Sequence, residues 1–147
     1  MEPDVYTKSN VAILTQEGVM TASTRAIQVT HVNHIVTMVR DVQANIDFYC
    51  DFLGFKQIPS MVDNPRVTWL QLPSGVMLHL VESEEAPARP DNIHHAFEVE
   101  DYEATTRALQ EQGIAIERTG VRKDGQRYLF IRDPAGNRVE LCTPSGF

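Results

Sequence analysis

The stretch HIVTMVRDVQANIDFYCDFLGF, residues 34–55, has a second copy further along the chain, HHAFEVEDYEATTRALQEQGIAI at residues 94–116. In each copy a histidine stands seven residues ahead of an aspartate, His34 before Asp41 and His94 before Asp101. In each, a helix-like stretch then closes on a glycine, Gly54 or Gly113. The echo returns in LPSGVMLHL (72–80) against DPAGNRVEL (133–141), which sets Pro73 over Pro134, Gly75 over Gly136 and His79 over Glu140. A chain of 147 residues divided this way has halves too small to bury a core each, so the halves must pack on one another.

Each half reads as a strand, a helix and three more strands. Residues 32–39 and 93–99 are apolar on both parities, as expected of strands covered on two faces. Asp41 and Asp101 sit where a helix N-cap belongs. Val42, Ile46, Tyr49 and Leu53 then have helical spacing, and Gly54 supplies the stop. The second helix, about 102–112, carries the thinner stripe Tyr102, Thr105 and Leu109. Further strands are predicted at 55–61, 66–72 and 76–82, and again at 114–119, 126–132 and 137–143, with proline–glycine turns between the last two of each set. A single domain therefore spans 29–147: a module at 29–82, an acidic, proline-bearing linker at 82–92, and a module at 93–143. Residues 1–28 have no repeat partner and read as an arm or an added edge strand.

Composition narrows the partners. Hydrophobic residues make up 42% and charged residues 22%, an ordinary globular balance. Thirteen Lys and Arg against 20 Asp and Glu give −7, a poor surface for neutralising phosphates, so neither nucleic acid nor an anionic membrane is expected as a partner. No apolar run approaches the ~20 residues that span a bilayer. The run Val11-Ala12-Ile13-Leu14 is too short for a secretory signal. Cys50 and Cys142 make neither a disulfide framework nor a zinc knuckle. The expectation is a soluble, cytoplasmic protein that meets a small molecule.

Period-two geometry converts the repeat into chemistry. His34 shares a face with Val36 and Met38, His79 with Met77 and Val81, His94 with Ala96 and Glu98, and Glu140 with Arg138 and Cys142. The other face of these strands is more uniformly apolar and suits the helices. If the halves pair with pseudo-twofold symmetry, His34, His79, His94 and Glu140 converge from mid-strand positions. Left dry and unpaired, such groups would cost several kcal/mol, whereas a bound divalent ion returns on the order of 10 kcal/mol. Imidazole and carboxylate together suit Zn, Ni, Co, Mn or Fe rather than Ca or Mg.

The seven-residue spacing selects His94 over His95 as the candidate ligand, and His31, of opposite parity to His34, reads as structural. Glu98 reads as a solvated strand-end carboxylate, Cys142 as a small core residue, and Arg127 and Arg138 as solvent-facing. No nucleophile elbow and no glycine-rich phosphate loop is found.

Together, NHIVTMVRDVQANIDFYCDFLGFK, HHAFEVEDYEATTRALQEQGI and FIRDPAGNRVELCTP resemble the vicinal oxygen chelate superfamily. That group includes glyoxalase I, methylmalonyl-CoA epimerase, fosfomycin and bleomycin resistance proteins and extradiol dioxygenases. The resemblance covers about residues 31–143. It implies an α+β fold of two βαβββ modules forming a half-open, eight-stranded barrel around a metal, often completed across a homodimer. The metal positions it implies fall on His34, His79, His94 and Glu140. At the fourth-strand position glyoxalase I has a glutamate and the epimerase a glutamine, both ligands, whereas the dioxygenases and fosfomycin enzymes do not ligate there. A histidine at 79 places the site on the lyase and isomerase side. Four protein ligands on an octahedral ion leave two neighbouring positions, enough to chelate an enediolate.

The resemblance thus implies a metal-dependent lyase or isomerase similar to glyoxalase I, with Glu140 and His79 as the proton-moving residues. The alternatives are a ring-cleaving dioxygenase with His34, His94 and Glu140 as its iron ligands, and a non-catalytic protein that sequesters a small molecule such as an antibiotic. Glyoxalase I has an arginine, four residues after its first ligand, that helps hold glutathione. Here that position is Met38, and Arg40 is the nearest arginine of the same parity.

Overall fold

A computed structural model describes Ile27 and residues 29–85 and 92–147. The rest of the arm expected over 1–28, and positions 86–91 of the expected linker, lie outside the described residues. His31–Phe147 is one compact unit. Its first module runs β1 (His34–Val39), α1 (Val42–Ile46) prolonged by a π-helical turn (Asp47–Phe52), β2 (Lys56–Ile58), β3 (Val67–Gln71) and β4 (Met77–Glu82). The second runs β5 (His95–Glu98), α2 (Tyr102–Glu111), β6 (Arg118–Val121), β7 (Arg127–Arg132) and β8 (Arg138–Cys142). The fold is α+β, two βαβββ modules, as expected.

The sheets have matching orders, β1-β4-β3-β2 and β5-β8-β7-β6, each with its first and last strands parallel neighbours. The eight strands form two four-stranded sheets, with no ladder between the two among the described residues. Both helices start on the expected aspartates. The Asp41 carboxylate accepts from the Ala44 amide at 3.0 Å and the Asp101 carboxylate from the Ala104 amide at 2.8 Å. Each such cap satisfies an N–H the helix cannot and is worth about 1 kcal/mol.

Several boundaries differ from the sequence reading, β1 and β5 each opening two residues later than expected, and three differences have a visible cause. The first helix widens after Ile46, with Leu53 N–H donating to the Phe48 carbonyl at 3.1 Å. The extra residue in that turn accompanies burial of the consecutive Phe48 and Tyr49. β2 stops at Ile58, because Pro59 has no N–H to continue the ladder. β6 covers 118–121, not 114–119. Ile114 and Ile116 alternate as a strand would, but they pack against the core as the chain leaves α2, and the ladder opens with Arg118 opposite Phe130.

One core serves both modules. Val39, Tyr49, Leu70, Leu78 and Leu80 of the first cluster with Leu109, Leu129, Ile131, Val139 and Leu141 of the second. A buried polar knot joins them as well. The Asp133 carboxylate accepts from Tyr49 Oη–H (2.9 Å), from Asn137 Nδ2 (3.0 Å) and from the amides of Ala135 (3.0 Å) and Asn137 (2.8 Å). Asn137 Nδ2 also donates to the Met38 carbonyl at 3.2 Å, tying the β7–β8 turn to β1.

Candidate functional site

On the first sheet, the register sets Val36, His79 and Trp69 side by side across β1, β4 and β3, with His34 one row away opposite Met77. These residues share the face away from Leu78 and Leu80. His79 is sandwiched there: its ring lies 4.3 Å from Trp69 at 9° and 4.3 Å from His34 at 13°. His34 Nδ1 lies 2.9 Å from the Asn33 side-chain oxygen, a contact that leaves Nε2 on the other side of the ring. His79 is 8% exposed, and its Nε2 is buried without a hydrogen-bond partner, as is Trp69 Nε1. Burial, and secondarily the neighbouring His34, hold His79 below the usual imidazole range. At neutral pH it is therefore an uncharged ring with nitrogen to offer. A cavity of about 450 Å³ opens over this face, lined by His34, Val62, Trp69, Met77 and His79 among others.

On the second sheet, Ala96, Glu140, Phe130 and Arg118 form one row across β5, β8, β7 and β6. His94 sits just ahead of β5, its ring edge-on to Phe130 at 5.0 Å. Its Nε2 meets Glu140 Oε2 at 3.0 Å, while Nδ1 is buried without a partner. The other oxygen of Glu140 pairs with Arg122 Nη2 at 2.8 Å. Glu140 is buried, so this carboxylate is held between an imidazole and a guanidinium inside the protein.

The structure thus brings His34 to His79 and His94 to Glu140, each pair on the face that strand parity assigns. His34 opens β1 and His94 lies just ahead of β5, rather than each sitting mid-strand as the sequence predicts. The four residues remain two pairs on two sheets, and no three His, Cys, Asp or Glu side chains cluster as a metal would need among the described residues. The donors themselves fit a divalent transition ion. His79 Nε2 is orphaned, His34 Nε2 lies outside the Asn33 contact, and the 3.0 Å between His94 Nε2 and Glu140 Oε2 matches two neighbouring ligands at about 2.1 Å from one ion.

The remaining candidates stand as follows. Cys142 is buried, with burial first and Glu140 second pushing its thiol up, which suits a core residue. Arg127 pairs with Glu103 and lies 4.1 Å over the Tyr102 ring. Arg138 pairs with Glu117 at 3.0 Å. Arg40 lies beyond the end of β1 and donates to the Glu84 carbonyl at 3.3 Å. Glu98 is exposed, and His95 is half-buried as the first residue of β5. Sequence reasoning missed Trp69 and Arg122. Strand register would have placed Trp69 beside His79. No periodicity points to Arg122, whose side chain reaches Glu140 from beyond the end of its strand.

A family model, the Glyoxalase/Bleomycin resistance protein/Dioxygenase superfamily, matches residues 31–141. A protein named Glyoxylase I 4 from Arabidopsis thaliana is 31% identical over 127 residues, covering 79% of this chain and 72% of its own length. Glutathione transferase FosA from Serratia marcescens is 28% identical over 113 residues, 74% of this chain and 77% of its own. The crystal structure of a glyoxalase family protein from Enterococcus faecalis superposes with a TM-score of 0.64 at 30% identity, covering 76% of this chain and 96% of that one.

Proposed function

The chain belongs to the glyoxalase/bleomycin resistance protein/dioxygenase superfamily, and from that premise we propose that it is a metal-dependent lyase or isomerase acting on a small molecule with neighbouring oxygens. The ligands are His34, His79, His94 and Glu140, and the working unit is a homodimer with exchanged halves. His34 and His79 of one protomer then face His94 and Glu140 of its partner. The observation carrying this reading is the pairing itself. Each half-site presents two donors on one face, and among the described residues one chain does not bring a third to either.

A bound divalent ion supplies Lewis-acid chemistry, drawing electron density from a substrate carbonyl and stabilising charge on the adjacent oxygen. The protein's residues do the rest. Asn33 holds the His34 ring through Nδ1. The Trp69 face orients His79, whose uncharged Nε2, when displaced from ligation, would take the proton from the carbon beside the carbonyl and return it. Glu140, held by Arg122, is the second proton-moving group. Val62 and Met77 give the cavity over this face an apolar lining.

Mixing His34→Ala chains with Glu140→Ala chains tests the exchange, since only exchanged halves regenerate one intact site per heterodimer, with metal and activity. Solvent deuterium entering next to the carbonyl of a methylglyoxal hemithioacetal, without oxygen uptake, is the expected chemistry.

A second reading, a dioxygenase with His34, His94 and Glu140 alone on iron, is favoured by the sandwiching of His79 between two rings, which would make it a wall rather than a ligand. Oxygen uptake with a catechol would establish that reading and overturn the first.

A further inference from the structure

We propose that Arg122 forms an anion seat beside Glu140, so that the substrate carries an anionic oxygen group such as phosphate, phosphonate or carboxylate. This deepens the reading above and rests on it for the identity of the site.

The seat is built in layers. Gly120 leaves the space that Tyr128 fills: a Cβ on residue 120 would lie 2.5 Å from the Tyr128 hydroxyl oxygen. The tyrosine ring so placed is a floor for Arg122, whose guanidinium carbon stands 4.4 Å from the ring centroid. Arg122 Nη1 donates to the Gln126 side-chain oxygen at 2.8 Å, and Nη2 pairs with Glu140. A guanidinium has five N–H donors in a planar fork. These contacts account for a minority of them, and the side chain is 40% exposed. Arg118 adds a second cation: it is exposed, lies in the row of Phe130 and Glu140, and has no ion pair among the described residues. In a chain of net charge −7, Arg122 stands directly on a buried carboxylate and Arg118 lies on the same sheet face two strands from it.

The same geometry makes the seat conditional. Without a metal, the Glu140 carboxylate occupies Arg122 Nη2 and its charge opposes an anion approaching the same guanidinium. Once a divalent cation draws on Glu140, that repulsion falls and the guanidinium fork becomes available. Anion and metal should therefore bind with positive coupling, and the coupling must be reciprocal.

Calorimetric titration of the full chain with inorganic phosphate, with and without a saturating divalent ion, tests this. Phosphate is expected to bind, and to bind about fivefold or more tightly with metal present, with phosphate raising metal affinity by the same factor. Arg122→Gln should weaken phosphate by about tenfold or more, and Arg122→Lys should recover part of the loss. Lys123→Gln, on the turn of the same hairpin, should leave phosphate binding unchanged. Circular dichroism and a thermal melt confirm that each variant is folded. Acetate and methylphosphonate titrations then identify which anionic group is preferred. Equal phosphate affinity in the parent and Arg122→Gln, or no phosphate binding by the parent up to about 10 mM, overturns the seat. Phosphate binding through Arg122 in a chain that takes up no metal overturns the metal reading and the coupling, and leaves the seat standing.

Discussion

Tyr49 and Asp133, 84 positions apart in the sequence, share a buried hydrogen bond of 2.9 Å that joins the helical turn of one module to the β7–β8 turn of the other. Asp133 also holds its own turn and, through Asn137, the end of β1. Tyr49→Phe removes one donor and leaves the others, so a loss of about 1 kcal/mol is expected in chemical denaturation. Asp133→Ala strands the hydroxyl, the amide group and two backbone N–H groups together, and should cost about 3 kcal/mol or more. Equal costs for the two variants would show that the knot is not the link between modules.

Gly120→Ala should act at a distance from its own backbone. The new methyl overlaps the Tyr128 ring, forcing it off the position that carries Arg122. A loss of about 1–3 kcal/mol is expected from overpacking. Gly120→Ala/Tyr128→Ala removes the clash and should recover part of it, which a double-mutant cycle on thermal stability measures.

Glu117 gives the fold a weak acid sensitivity. The hydrogen bond from Arg132 at 2.7 Å, and then that from Arg138 at 3.0 Å, hold its carboxyl below the usual range. A carboxyl with a depressed folded-state pKa contributes stability above its unfolded value, near 4.3, and loses it as pH falls through the folded value. These are partly exposed pairs, worth about 1 kcal/mol together. Glu117→Gln should therefore destabilise at pH 7 and be indistinguishable from the parent near pH 2, as read by denaturant midpoints across that range.

His79→Ala separates ligand from wall. If His79 ligates, the variant should lose at least about tenfold in metal affinity and lose activity with it, by equilibrium dialysis and exchange assay. Retention of both would make His79 a lining residue.

Much of this was legible in the sequence because strand geometry has a period of two. Knowing only that His34, His79, His94 and Glu140 occupy equivalent places, one can assign each to a face; the ladder Val36–His79–Trp69 and the row Ala96–Glu140–Phe130 place His79 and Glu140 so, with His34 at the start of β1 and His94 just ahead of β5. Ile114 and Ile116 misled for the same reason: alternation marks burial on one side, and a core-facing connection alternates as well as a strand does. The π-helical turn left no trace, since Val42, Ile46, Tyr49 and Leu53 fit a plain helix. The reach of Arg122 to Glu140 depends on what Gly120 leaves open, which no one-dimensional pattern encodes.

Trp69 is the single tryptophan of the chain, and it lies flat against His79. Its fluorescence is therefore a native gauge of one imidazole. An ion reaching His79, a ligand parting the stack, or a second protomer closing over that face would each alter its brightness or colour. The half-site can accordingly be followed in real time, in unmodified protein, with no dye attached.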